Sequence, residues 1–465
     1  MKDFLKQISI YGILPIIGKF SGLFLVPIYV RIFSSYQFGV VELFMTLINF
    51  LMFACNLEIY TAIGNFFYKK DNLKEKQILV SSGLFLTIFF SIIVILLLIL
   101  NEKLVLNYFF NSLKYHYEFK ISLIWLFIAA IGTYLGVIPR YTNQQKTFVL
   151  ISAISLLIRA GSTVFFILTL NTGIVGVIYG QIIGASFSLV FNAWITKKYI
   201  VSHFQWSEIK SIVHFAFPIV PGVLLIGLWQ PFSRSLISKF YSMEDVGLLS
   251  FAVRITSVLE IANYGIRYAW LPMLFENHEK ENFKTEVTKI SKLVGVLAFT
   301  AAIALTLLSP EIAKYIGTKE YQESSILIGF LAFSSVFEIL RNVRGFGPFI
   351  LKKTYLLTLA EIGGICLGLL FFILFSSKLG LFGIGFLFLV PSFFKYISLS
   401  IYTGKAIGVK FFYVTEIFFY VSIAISMFLV YLNESIIARG TFMILIIGYF
   451  LYTLIGVINN ERKPL

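Results

Sequence analysis

The chain has 465 residues, 58% of them hydrophobic and only 13% charged, where soluble domains average about 25% charged residues. No water-soluble core could hide so much apolar surface, so the composition excludes a soluble fold and points to an all-α integral membrane protein. The net charge of +15 is explained by loops facing anionic lipid headgroups and needs no nucleic-acid partner.

Lys2 and Lys6 precede an apolar run over 8–30 that lacks a small-residue cleavage site. The run reads as a retained first span rather than a signal peptide. A helix needs about 20 apolar residues to cross the hydrocarbon layer. On that measure spans are expected at 8–30, 38–59, 78–100, 121–139, 148–170, 173–195, 212–230, 246–267, 289–309, 324–340, 355–376, 381–402, 411–432 and 437–459. The tenth is the weakest, being short and running into Arg341 and Arg344. Barrel strands are excluded, because the runs do not alternate polar and apolar residues. The two cysteines, Cys55 and Cys366, lie in apolar runs and read as small core residues.

Fourteen spans put both termini on one side. If that side is cytoplasmic, inside segments hold 23 Lys and Arg and outside segments ten. The bias favours this orientation.

The chain also repeats itself. At an offset of 207, 12 of the 53 pairs between Lys146–Lys198 and Lys353–Lys405 are identical, including Gly161/Gly368, Gly173/Gly380 and Gly176/Gly383. At 208, Ser34 pairs with Ser242, Gly39 with Gly247, Tyr60 with Tyr268 and Phe67 with Phe275. An offset spanning six helices preserves orientation, so the halves are parallel repeats around a central cavity. The expected organisation is a six-helix lobe over 1–205, a second over 206–405, and two further helices with a tail over 406–465.

The stretch "VPIYVRIFSSYQFGVVELF" and its counterpart "SLISKFYSMEDVGLLSFAVRI", after "FAFPIVPG", resemble the Wzx-type O-antigen and capsule flippases. These belong to the superfamily that includes MATE exporters and the lipid II flippase MurJ, and the likeness runs through all fourteen spans. The resemblance implies movement of undecaprenyl-diphosphate-linked oligosaccharide across a bacterial plasma (inner) membrane for surface polysaccharide or lipopolysaccharide synthesis. It further implies working contact with membrane lipids and polysaccharide polymerase machinery, by a fold in which one chain suffices.

An anionic head group calls for cations, and ionisable residues inside spans are functional candidates by default. Five basic residues fall within the expected spans: Lys19, Arg159, Arg254, Arg267 and Lys395. Their repeat-mates are Gly227, Cys366, Thr46, Ile59 and Ser188, none of them charged. The scaffold is duplicated while the charges are not, as an asymmetric ligand requires. Lys19 and Arg254, with Arg159, are expected to bind the diphosphate, because the resemblance implies that helices one and eight line a cationic cavity. Arg267 and Lys395 are further candidates, although both lie near enough to helix ends to snorkel. The acidic set is Glu42, Glu58, Glu260, Glu338, Glu361 and Glu416. Glu361, then Glu42 and Glu58, are candidates for coupling to H⁺ or Na⁺, the alternative being that they neutralise buried cations.

No phosphate-binding G-x-x-x-x-G-K-[ST] loop is present, and His116, His203, His214 and His278 lack metal-ligand spacing. No cofactor beyond a coupling ion is expected, and the chain is not read as an enzyme. Two rival readings remain. A MATE-type drug or cation antiporter would want an acidic or apolar cavity. A membrane polysaccharide polymerase would want a larger outside loop than 101–120.

Overall fold

The computed structural model describes residues 18 and 22–459, save 143, 412, 413 and 433. Nineteen α-helices follow one another, with no strand among the described residues. They are α1 (Gly22–Ile32), α2 (Ser35–Asn56), α3 (Ile59–Phe67), α4 (Leu73–Leu100), α5 (Glu102–Phe110), α6 (His116–Tyr141), α7 (Gln145–Leu168), α8 (Ile174–Thr196), α9 (Trp206–Ala216) and α10 (Val220–Phe240). The series continues with α11 (Met243–Asn277), α12 (Phe283–Leu307), α13 (Ser309–Tyr315), α14 (Ser324–Arg344), α15 (Gly347–Ile350), α16 (Tyr355–Leu379), α17 (Leu381–Ile407), α18 (Val414–Tyr431) and α19 (Ile436–Asn459).

Thirteen of the fourteen expected spans coincide with one of these helices or a broken pair, while the first, 8–30, lies mostly outside the described residues and its last part falls on α1. Among the described residues ten helices are long and apolar enough to cross a membrane by themselves. Helices α9 and α10 form an apolar pair bent by 61°, where Pro218 and Pro221 interrupt the backbone hydrogen bonds. The second span is also broken. Leu57 and Glu58 take φ of 40° and 58°, so α2 ends and α3 starts afresh. The tenth span is longer than its composition promised: α14 runs through Arg341 to Arg344 and buries most of its length.

The packing separates two units, residues 33–247 and residues 22–32 with 248–465. Helix α10 thus packs in the first unit although its sequence opens the second repeat. There Ser235 donates to the Tyr108 carbonyl at 3.0 Å, and the Lys239 ammonium lies 3.3 Å from the Tyr108 ring centroid.

In the first unit Gly176, Gly180 and Gly184 form a stripe along α8 that lets α7 approach closely. A side chain at Gly180 would collide with Thr163, and one at Gly184 with Arg159 and the Ser155 carbonyl. Close approach of this kind replaces the hydrophobic driving force that lipid cannot supply. In the second unit the small residues change helix: Gly364 and Gly368 of α16 face Pro391 of α17.

The duplication is visible in the backbone itself. Gly173, preceding α8, has φ/ψ of 60°/−136°, and its repeat-mate Gly380, preceding α17, has 51°/−132°. Only glycine adopts that region readily. Each carbonyl then accepts from the N–H three residues on, Gly176 at 3.1 Å and Gly383 at 2.9 Å. Ser34 and Ser242 match as well, each Oγ accepting an N–H three residues later, Gln37 and Asp245.

The last two helices are held to the rest of the second unit by two ion pairs, the first of them buried. Arg344, fully buried, meets the Glu416 carboxylate of α18 through two nitrogens at 2.5 and 3.1 Å. It also donates to Ser291 Oγ and Tyr396 Oη, each at 2.7 Å. Arg439 of α19 makes a bidentate pair with Glu311 of α13 at 2.6 and 2.8 Å.

Of the cysteines, Cys55 is buried as expected, but Cys366 is exposed. In a chain solvated by lipid an exposed apolar position need not be covered.

Candidate functional site

Two polar constellations stand inside the apolar helices, one in each unit. In the second, α17 places Lys395 between two carboxylates. Its Nζ lies 2.6 Å from Glu338 of α14 and 3.0 Å from Glu361 of α16. Glu338 in turn accepts from Arg341 Nε at 2.8 Å, one helical turn further along α14. The four charges cancel, which is what makes such a cluster tolerable away from water. Gly364 permits it, because its missing side chain leaves room for the Lys395 stem, which a Cβ there would meet at 3.3 Å.

In the first unit, α2, α6, α7 and α8 line an open cavity of about 270 Å³. Arg140 and Arg159 line it with Asn49, Thr133, Ser152, Ser188 and Asn192, and Trp125 and Phe148 add aromatic surface. No carboxylate is among its lining residues. Arg140 lies over the Phe148 ring at 4.4 Å. Asn192 is almost wholly buried, and its Nδ2 donates to Ser188 Oγ at 3.1 Å and the Gly132 carbonyl at 3.4 Å.

The remaining sequence candidates are dispersed. Arg254 is half-buried on α11, its guanidinium so close to Gly22 of α1 that any side chain there would collide with it. Arg267, further along α11, is exposed. Glu42 is buried in α2. Glu58 sits at the α2–α3 break, accepting from Tyr60 Oη at 2.8 Å and Thr61 Oγ1 at 2.5 Å. Lys19 lies outside the described residues.

The structure therefore brings Lys395 and Glu361 together and sets Arg159 apart with Arg140. Sequence reasoning counted Arg140 among the loop charges, since it stands one residue from the end of α6. It read Arg341 and Arg344 as signs of a weak span. Lys395 and Glu361 are 34 residues apart and Arg344 and Glu416 are 72 apart, separations at which no local helical spacing betrays a pair.

Duplicated helical units with charges held inside apolar helices define a multi-pass membrane protein of two-repeat architecture. The same architecture occurs in solved transporters. The lipid II flippase MurJ, in an inward closed conformation, is similar over 97% of this chain and 99% of its own, with a TM-score of 0.72 at 16% identity. An inward-facing multidrug resistance MATE family transporter of the MOP superfamily matches 85% of this chain and 94% of its own, at TM-score 0.61 and 13% identity. The Vibrio cholerae MATE transporter VcmN gives 0.56 at 14% identity, over 88% of this chain and 98% of its own. A search of curated protein sequences finds no match. The model of the family described as "Polysaccharide biosynthesis protein" matches residues 28–326, more than half of the chain, which belongs to that family. The resemblance read from the sequence is borne out at the level of family and fold.

Proposed function

We propose that the protein is a flippase, moving undecaprenyl-diphosphate-linked oligosaccharide repeat units across a bacterial plasma membrane for surface polysaccharide synthesis. The observation that carries the reading is a polysaccharide-biosynthesis family chain with the fold of MurJ and with cations inside its spans. A sugar hydroxyl taken into hydrocarbon without a partner costs roughly 2–7 kcal/mol. Several sugars and a diphosphate therefore cross only if the protein solvates the head group while the prenyl tail remains in lipid. Lys19, Arg254 and Arg267 are assigned to the diphosphate, Arg254 first because it is half-buried on a long helix against a glycine. Arg159 belongs to head-group recognition with Arg140. Lys395 is reassigned from the diphosphate to ion coupling: an ammonium between Glu338 and Glu361 occupies the place a transported H⁺ or Na⁺ would compete for. Glu42 and Glu58 remain candidates for the same role. Alternating access is driven, in this reading, by exchange at that cluster, and the chain itself performs no bond chemistry.

A drug or cation antiporter is the second reading, because MATE transporters share the fold. A cavity lined by two arginines and no carboxylate disfavours a cationic cargo.

Deleting the gene separates the two. Loss of surface polymer, with lipid-linked repeat units stranded on the cytoplasmic leaflet and recovery on re-expression, is the expected result. An Arg254→Ala version should fail to restore polymer at normal protein levels. Normal polymer with increased sensitivity to cationic dyes would overturn the proposal in favour of drug export.

A further inference from the structure

Where α17 ends, the chain turns back on itself and shapes a basic pocket. Gly408 takes φ of 75°, and the Gly404 carbonyl accepts from the N–H groups of Gly408 and Val409 at 2.9 and 3.1 Å. A left-handed residue closing a helix in this way favours glycine. Gly404 matters as well, because a side chain on it would collide with the Val409 carbonyl. The returning chain leaves an open pocket of about 330 Å³, whose lining includes Ser400, Ile401, Lys405, Val409, Lys410 and Phe411.

Two lysines thus share one small pocket, and a third approaches it from α12. A Cβ on Gly408 would stand only 3.2 Å from the Lys284 ammonium. No carboxylate is among the lining residues, and neither Lys405 nor Lys284 has an ion-pair partner among the described residues. Ser400 is 1% exposed, and its hydroxyl has no hydrogen-bond partner among the described residues. Val409 and Phe411 are buried, while Ile401 stays exposed at the end of the expected span 381–402. The first half has no counterpart. At the offset of 207, Lys405 matches Lys198, but Gly404 matches Lys197 and Ser400 matches Ala193. There the Lys198 ammonium lies over the Tyr199 ring at 4.9 Å.

Compact ammonium groups bind phosphate as point charges. A buried hydroxyl without a partner is costly, and it offers a phosphate oxygen a donor. An apolar wall does nothing for a free ion, but it suits the glycerol and first acyl carbons of a lipid. The loop-charge bias puts this end of α17 at the cytoplasmic face, where anionic lipids concentrate.

We infer that this pocket holds the headgroup phosphate of an anionic phospholipid, gripped by Lys405 and Lys284, with its acyl chains running along Ile401. The inference does not rest on the flippase reading.

The test uses the purified full-length protein in detergent, with lipid binding followed by native mass spectrometry. The probes are dioleoyl phosphatidylglycerol, dioleoyl phosphatidylcholine and inorganic phosphate. Phosphatidylglycerol should bind at least fivefold more tightly than phosphatidylcholine, whose choline the lysines repel. Lys405→Gln should lose about fivefold of phosphatidylglycerol affinity, the worth of one lysine at an anionic surface. Ser400→Ala should weaken phosphatidylglycerol about threefold, the equivalent of one modest hydrogen bond. Lys74→Gln, at an exposed position outside the pocket, should change nothing. Phosphatidylglycerol binding no tighter than phosphatidylcholine overturns the inference. So does an equal loss from Lys74→Gln and Lys405→Gln, which would reduce the site to general surface attraction. Inorganic phosphate displacing phosphatidylglycerol at equal concentration would likewise overturn it, in favour of a free-anion site.

Discussion

At the scale of single residues, the spans hold two kinds of charge with different energetics. Arg344 is enclosed by Glu416, Ser291 and Tyr396, every partner within hydrogen-bond distance. Removing one member strands the other's charge in a low-dielectric interior. Glu416→Ala is therefore expected to cost about 3–5 kcal/mol, seen as a lowered unfolding temperature in detergent. The double change Arg344→Met with Glu416→Leu should recover most of that loss, because an apolar pair of similar size pays no desolvation penalty. Equal destabilisation by single and double changes would show that packing, not charge, is what the pair contributes. Lys395 stands between its carboxylates in a more open setting, with Glu338 and Glu361 each about a quarter exposed. That partial exposure suits groups that exchange partners, as the proposed coupling role requires.

At the scale of helices, glycines decide what can approach what. Gly180 meets Thr163 of α7 so closely that a larger side chain must part the helices. Gly180→Val is expected to destabilise the protein by about 1–3 kcal/mol, the usual cost of overpacking, measured by thermal unfolding. Gly161→Ala, on the neighbouring helix with no atom within 4 Å of the added carbon, should leave stability unchanged or slightly raised. Helix breaks tell a parallel story. The α9–α10 bend was foreshadowed by Pro218 and Pro221, whose missing N–H groups cannot continue a helix. The break at Leu57 and Glu58 had no such signal, since neither residue favours positive φ. It is held by tertiary surroundings and by the bonds Glu58 accepts from Tyr60 and Thr61.

At the scale of the whole molecule, the surplus of Lys and Arg on alternate loops predicts that both termini are cytoplasmic. A fluorescent reporter that matures only in the cytoplasm should therefore shine when fused after Leu465. Alkaline phosphatase inserted in the 111–115 turn should be active, since it matures only outside. The reverse pattern would invert the topology and reassign every loop charge.

The approximate placing of most spans and the duplication were written in local sequence. About 20 apolar residues fix a span because lipid offers the backbone no hydrogen-bond partner, and Gly173 and Gly380 repeat because one turn geometry admits only glycine. The rare cations were equally legible as candidates, since charge inside an apolar run is costly wherever it lies. Their partners were not legible. Whether Lys395 meets Glu361, Arg344 meets Glu416 or Arg159 shares a cavity with Arg140 depends on which helix faces pack together. In a bilayer every face is similarly apolar, so hydrophobic periodicity does not mark the inward one. The sequence by itself thus determined which segments cross the membrane and which charges cross with them. Only the tertiary structure decided which of those charges meet one another and which line a cavity.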